Sequence, residues 1–567
     1  MTVKLYILNF IKILIISLWI LPIKNSFSRD WIPNQVGAFL SSKIARSITD
    51  VESSAYFAKY AYNRNTESNG LALIALEALI ANGQINEAIK IGIKVANKME
   101  GISLVQHINA INYIDKKNYA QALEIYKNIS PDGIDKYILP ILQAWIEAES
   151  NKSPEGLTTI SKEAEKGILT PIYGYHAALI NEYLGNDEIA LENYKNVIDR
   201  SNSANAIVFI KAALFFERLG KNNLKNITLN KLERLDPYSN ELISFNNDKS
   251  LKYLNLLTSP RDGIAEILLN SAELLYNEGL NLQALTYAQM SKYLNSNQDE
   301  ANYLLGRIFD TIENKDRALK YFKTISDNSY VTNDAKIYVA EIIYAKEGIN
   351  NSINYLSNLK SNNPNNINFS RTVAELYYKE EDFNNSIKTY KEIINNIDKI
   401  EYKHWPLLYS YAISLERGKN WNEAEKYFLL TLEFVPNNPQ VLNYLGYSWI
   451  DQGINIEKAL SMIIKAVEQR PNDGYIVDSL GWAYYQTGDY EKAVENLEKA
   501  SELLSDSIVV DHLGDALFYS GRKTEAIFQW KRALKFNPSK ELKKQLEDKI
   551  NGKITPKEGV NAGSKSI

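Results

Sequence analysis

Histidine is the side chain whose ordinary pKa suits it to proton transfer near neutrality and to metal ligation, and this chain has four, His107, His176, His404 and His512, with no cysteine beside them. Without cysteine there is no disulfide framework, no thiol nucleophile, no thiolate zinc or iron–sulfur site, and no lipid carried on an amino-terminal cysteine. His107 and His176 stand about 70 residues apart and His512 is far more distant. No His-Glu-x-x-His stretch, glycine-rich phosphate loop or serine nucleophile elbow occurs. These residues therefore predict isolated polar groups lining a groove. His404, just ahead of Trp405-Pro406, is expected in a loop before a helix. Carboxylates are abundant, but at helical spacing they read as solvated faces. No catalytic residue, no metal and no cofactor is expected, and the chain is read as not an enzyme.

Composition narrows the class further. The 567 residues carry 64 Lys and Arg against 68 Asp and Glu, a net charge of −4. A phosphate binder is usually clearly basic, so no nucleic acid is expected as partner. With 45% hydrophobic and 23% charged residues the chain is of ordinary globular composition and not disordered throughout. At the amino terminus, Lys4 and Lys12 precede an apolar run from Ile13 to Leu21, followed by Pro22, Lys24 and the small residues Ser26 and Ser28. This order predicts a signal peptide over 1–28, cut before Arg29. The alternative is an uncut amino-terminal anchor, in which case membrane contact runs through residues 1–28 only. The expected location is the periplasm, or in the alternative an inner-membrane anchor with periplasmic repeats.

The elements that must position any site repeat every 34 residues. Units start at 35, 69, 103, 137, 171 and 206, then at 265, 299, 333, 367, 405, 439, 474 and 507. The eighth residue of each is Gly or Ala at twelve of fourteen starts, as at Ala110, Gly306, Gly446, Gly481 and Gly514. The twentieth is small in every unit except that of Lys225, counting one inserted residue in the unit from 439. Two small residues twelve apart let two antiparallel helices touch where they cross. Gly83, Gly185, Gly220, Gly279, Gly453, Gly488 and Gly521 punctuate the turn between those helices. Pro237, Pro364, Pro436, Pro471 and Pro538 follow the second helix.

This period and pattern resemble the tetratricopeptide repeat over about residues 35 to 540. The fold expected is all-α, a right-handed superhelical solenoid of about 14 helix-turn-helix units interrupted near 240–264. The domains expected are an amino-terminal arm at 35–239, a junction at 240–264, a carboxy-terminal arm at 265–540, and a capping helix with a disordered tail at 541–567. In the repeat family certain first-helix positions line a concave groove. Mapped here, they give an apolar surface in the amino-terminal arm, with Ile108, Ile111, Ile141, Leu142 and Trp145. In the carboxy-terminal arm they give a polar and aromatic one, with Glu266 and Arg307 and then Asn443, Tyr444, Tyr447, Asp478, Trp482, Asp511, His512 and Asp515. These last eight, with Trp145, are the expected partner-binding residues. The Lys/Asn/Arg clamp with which some members hold a terminal carboxylate is absent.

The elements Leu442-Asn443-Tyr444-Leu445-Gly446-Tyr447, Asp478-Ser479-Leu480-Gly481-Trp482 and Asp511-His512-Leu513-Gly514-Asp515 carry a narrower resemblance, to exported bacterial repeat proteins. Among these are outer-membrane lipoproteins that bring cell-wall hydrolases to a periplasmic C-terminal processing protease. The resemblance implies a non-catalytic scaffold or adaptor of the cell envelope that binds protein partners, a processing protease among them. The lipidated cysteine of that group is missing here. The alternative is a structural component of an envelope assembly or polysaccharide-export complex.

Overall fold

The computed structural model describes residues 34–149, 155–164, 170–201, 206–240, 242–243, 257–364 and 366–559. The segment read as a signal or anchor lies outside them. Among the described residues there are helices and turns and no strand, and no helix is long and apolar enough to cross a membrane. The chain is all-α, built of helix-turn-helix pairs.

The small residues sit where the helices cross. Ala110, Ala144, Ala178, Ala213, Ala272, Ala374 and Ala412 at the eighth position are fully buried, as are Ala88, Ala122, Ala284, Ala424, Ala459, Ala493 and Ala526 at the twentieth. A β-carbon on Gly481 would stand 2.5 Å from Cγ of Leu497, and one on Gly514 2.3 Å from Nε1 of Trp530. Where serine replaces alanine it hydrogen-bonds across the crossing: Ser42 Oγ donates to the Ser54 carbonyl at 3.0 Å and Ser352 Oγ to the Ala340 carbonyl at 2.7 Å. Lys225, the exception at the twentieth position, is half-buried and pairs with Glu217 at 2.6 Å.

In most units the turn is set by the fifteenth residue, which adopts a left-handed backbone whether or not it is glycine; the unit from 333 differs, its positive φ falling on Gly348 at the sixteenth place. Gly83, Gly185, Gly279, Gly453, Gly488 and Gly521 have φ between 70° and 87°. Thr49, Lys117, Glu313, Glu381 and Lys419 hold φ of 58° to 63° at the equivalent place. A side chain in this region costs about 1–2 kcal/mol, so packing of the two helices must outweigh it in those five units.

The described contacts divide the chain into two compact units, one of residues 1–228 with 244–338 and one of 229–243 with 339–567. The units do not coincide with the arms expected at 35–239 and 265–540. The physical reason lies in the helix Pro260–Asn277. The cluster Ser259-Pro260-Arg261-Asp262-Gly263 was expected in a junction, but Ser259 is a helix N-cap that accepts from Asp262 N–H, and Pro260 occupies the first turn, where its missing N–H costs nothing. This helix packs on the helices Asp135–Glu147 and Thr170–Tyr183, and the following helix Asn281–Leu294 packs on Asn69–Ala81. The repeats after 257 thus fill the inner face of those before 228. Within the second unit, the segment after Leu229 docks on the helix Ile367–Lys379. Asn368 Nδ2 donates to the Tyr238 carbonyl at 3.0 Å, and the Arg371 guanidinium lies 4.4 Å from the Tyr238 ring centre.

The capping helix runs from Lys540 to Ile550. Residues 551–559, expected to be disordered, pack back on the last repeats; the remainder of that tail lies outside the described residues.

Candidate functional site

In the first unit the expected groove is closed. Trp145 is fully buried, and a β-carbon at Gly263 would stand 2.2 Å from its indole ring, so only glycine lets the Pro260–Asn277 helix lie this close. Ile108, Ile111, Ile141 and Leu142 are fully buried as well. Trp145 is therefore a packing residue and offers no surface to a partner. Its indole N–H donates to His176 Nδ1 at 3.1 Å, which leaves Nε2 of that ring as the donor to Asn270 Oδ1 at 3.2 Å. Both ring nitrogens are thus used by a neutral imidazole, and burial pushes His176 down to about 4. Glu266 is buried beside it. Its carboxylate accepts from Tyr175 at 2.8 Å, Lys211 at 3.0 Å and Gln298 at 3.2 Å. Burial would raise its pKa, but Lys211 and these hydrogen bonds hold it below the usual range.

A cavity of about 220 Å³ in the same unit is lined by Arg46, Glu77, Ser103, His107, Asp135 and Tyr287, among others. It contains a serine, a histidine and an aspartate. A nucleophile relay requires the hydroxyl to donate to the imidazole. Here Ser103 donates to Asp135 Oδ2, and Oδ1 of that carboxylate meets His107 Nε2 at 2.8 Å and accepts from Tyr287 at 3.2 Å. The arrangement locks a buried carboxylate and leaves Ser103 without a base. His404 lies in the turn before its helix, where Nδ1 accepts from the Glu401 backbone N–H at 2.9 Å. Among the described residues no group of side chains could hold a metal ion.

The second unit places the other expected residues on three successive first helices, Pro439–Gln452, Gly474–Gln486 and Ser507–Tyr519. Asn438, Asp473 and Asp506 cap these helices, each accepting from two backbone N–H groups of the first turn. The register that buries Gly446, Gly481 and Gly514 at the crossings turns positions five, six and nine inward. Asn443, Tyr444, Tyr447 and Trp482 are half-buried; Asp478, Asp511, His512 and Asp515 are buried.

Trp482 and His512 stack with ring centres 4.0 Å apart, and His512 Nδ1 donates to Asp478 at 3.0 Å. Burial opposes charge on His512, but Asp478, then Asp511 and Asp515, overturn it and hold the imidazole above its ordinary 6.5. Asp515 was expected among the partner-binding residues of the groove. It is instead taken up by the chain itself, accepting from Trp530 Nε1 at 3.0 Å and Lys549 Nζ at 2.7 Å, while Asp511 accepts from the same ammonium at 2.8 Å. Burial, with the like charge of Asp511, pushes Asp515 up to about 6 in spite of that lysine. Two polar atoms on the inner face are shielded from solvent and make no hydrogen bond: the indole N–H of Trp482 and Oδ1 of Asn443. Such a group costs about 1–3 kcal/mol while unpaired.

Lys549, Tyr485 and Tyr519 were missed as groove residues. Tyr485 and Tyr519 do fall on concave positions of their units, which is the signal that could have found them. Lys549 lies past the last repeat and carries no periodic signal.

A family model described as tetratricopeptide repeat matches residues 478–503. A 109-residue stretch is 32% identical to the TPR repeat-containing protein PA4667 of Pseudomonas aeruginosa, which is 19% of this chain and 18% of the relative. The chain thus spans less than a fifth of the curated relative it matches. Among solved structures, the Cut9–Hcn1 hetero-tetramer of the APC/C is 13% identical at a TM-score of 0.39, covering 92% of this chain and 96% of that one. A tetratricopeptide repeat protein from Parabacteroides merdae is 16% identical at a TM-score of 0.35, covering 44% of this chain and 96% of its own. At these scores the two structures carry no functional weight. The sequence matches support a tetratricopeptide repeat protein, a type of scaffold that mediates protein–protein interaction.

Proposed function

We propose that this chain is a non-catalytic, protein-binding scaffold of the bacterial cell envelope and that its partner site is the inner face of the second unit around Trp482. The observation that carries this is the pairing of a half-buried aromatic with two unsatisfied polar atoms: Trp482 N–H and Asn443 Oδ1 lie on adjacent repeats with no hydrogen-bond partner among the described residues. A protein segment along that face would meet the half-buried Trp482 side chain, and would satisfy the two shielded atoms once the side chains around them shift. Aromatic anchors with adaptable polar neighbours are the composition of interface hot spots. In the first unit the corresponding face around Trp145 is covered by the chain's own helix.

The envelope location rests on the charged, apolar and small-residue order of residues 1–28. A processing protease as partner rests on the resemblance of the elements from Leu442 to Asp515 to exported repeat lipoproteins. The test begins with affinity capture from envelope extract and identification of the partner. Binding is then measured for Trp482→Ala and Asn443→Ala beside melting curves. Truncating the anchor should cost about 2 kcal/mol, roughly thirtyfold in affinity, with melting of the fold retained. Unchanged affinity in both variants would remove this face from consideration. For export, amino-terminal sequencing of the mature protein should begin at Arg29 in the periplasmic fraction, and recovery of Met1 with inner membrane would replace cleavage by anchoring.

A further inference from the structure

The end of the described chain is seated in the second unit in a way that spells out what the site recognises. After the helix Lys540–Ile550 the backbone turns at Gly552, where φ is +67°, and runs over the carboxy-terminal ends of the helices Gly474–Gln486 and Ser507–Tyr519. Two tyrosine hydroxyls grip its main chain: Tyr519 donates to the Pro556 carbonyl at 2.8 Å and Tyr485 to the Lys557 carbonyl at 2.5 Å. Tyr490 completes the cradle, its ring nearly parallel to that of Tyr519 at 5.3 Å and 5.6 Å from that of Tyr485.

Four successive residues lie on this cradle with alternate fates. Pro556 and Gly559 are buried, whereas Lys557 and Glu558 are exposed. A β-carbon on Gly559 would stand 2.3 Å from the Tyr485 carbonyl oxygen and 3.0 Å from the Gln486 Cα, both backbone atoms that cannot swing aside. The cradle therefore encloses the proline at the first place, leaves the two side chains that follow exposed, and demands a residue without a side chain at the fourth. The two hydrogen bonds go to carbonyls that every peptide has, so they bind without reading sequence.

We propose that Tyr485, Tyr490 and Tyr519 form a recognition site for a Pro-x-x-Gly segment of a partner protein, and that residues 556–559 occupy it in cis until such a segment replaces them. This rests on the scaffold reading above and adds a second, peptide-specific contact next to the Trp482 face. A tethered segment competes at an effective concentration in the millimolar range. The apparent affinity for a peptide in trans falls in proportion to the fraction of molecules whose cradle is open.

The test uses the full-length chain and a fluorescein-labelled peptide with the sequence of residues 553–559, followed by fluorescence anisotropy. Gly559→Leu should expel the tail and bind the peptide at least tenfold tighter than the parent chain, and Pro556→Asp should do so independently. A control peptide with leucine in place of the glycine should not bind. Tyr519→Phe, placed in the Gly559→Leu chain, should weaken binding several-fold, with circular dichroism confirming the fold. Equal binding by parent and both tail variants, or none by any of them, overturns the proposal. Its failure is distinguishable from failure of the scaffold reading. Loss of peptide binding with Trp482-dependent partner binding intact removes the cradle alone, whereas loss of Trp482 dependence leaves the peptide titration standing.

Discussion

In the first unit the inner face around Trp145 is covered by an eighteen-residue helix, Pro260–Asn277, that begins with its own cap and buries glycine on indole. In the second, the last repeats hold the Lys549 ammonium on the Asp511 and Asp515 carboxylates and carry the non-helical residues 551–559. Both faces come from the same repeat and the same register. The difference is the kind of occupant: a helix satisfies its own backbone and adds a large apolar area, whereas the tail is held mainly by two side-chain hydrogen bonds, a proline and a glycine. A groove of this repeat can thus serve as core or as surface, and what lies in it decides which.

The comparison breaks first at Trp145. Trp145→Ala removes the side chain on which the filled groove closes and should destabilise the first unit by about 3–5 kcal/mol. Calorimetry should show the second unit melting as before, since repeat stability is close to nearest-neighbour. A variant that melts like the parent would mean that the face around Trp145 is not a core. Gly481→Leu is the counterpart in the second unit. It forces a side chain against Leu497 and should cost about 1–3 kcal/mol there; an unaltered melt would show the register of the helix crossing to be wrong.

A smaller effect sharpens the part that both units share. At the left-handed turn position, Glu313→Gly in the first unit and Lys419→Gly in the second remove a strained side chain, with φ of 62° and 63°. Each should stabilise its unit by up to about 1 kcal/mol, the relief being partly offset by the freedom glycine adds to the unfolded chain. Chemical denaturation of the two variants checks this, and destabilisation by either would contradict the geometry.

A further contrast separates the units by pH. His176 is pushed down to about 4, so its contribution is present above its ordinary 6.5 and is lost as the pH falls through about 4. His512 is raised, so its contribution is full below 6.5 and is lost as the pH rises through its folded value. Asp515, raised from 3.8 to about 6, acts in the same sense as His512. Lowering the pH from 7 to 5 should therefore weaken the contribution of His176 and strengthen that of the His512 cluster. Ring-proton NMR titration should show His176 neutral and His512 charged at pH 5.5, and the reverse order of titration would overturn the assignment.

Much of the fold was legible because packing at a helix crossing constrains residue size: the small residues at positions eight and twenty are buried almost without exception, and Lys225 marks the exception in both sequence and structure. Seven turn glycines were readable from the same register, but Thr49, Lys117, Glu313, Glu381 and Lys419 were not, since nothing in those residue types announces a positive φ. Periodicity reports that a face is apolar without saying what covers it, which is why Trp145 read as a partner surface. The cover was written in Ser259-Pro260, a cap followed by a first-turn proline that passed for loop. On the other face, Trp482 and Asn443 are half-buried, while Asp511 and Asp515 are claimed by Lys549, a residue outside the repeat pattern.

Hydrogen exchange of the full-length chain under native conditions tests the central contrast most directly, because it reads both occupants in one sample. Amides of Ile264–Asn277 should exchange only with unfolding of the first unit, whereas those of residues 553–559 should exchange through local release, orders of magnitude faster. Equal protection of the two segments, or faster exchange in the helix than in the tail, would contradict the account.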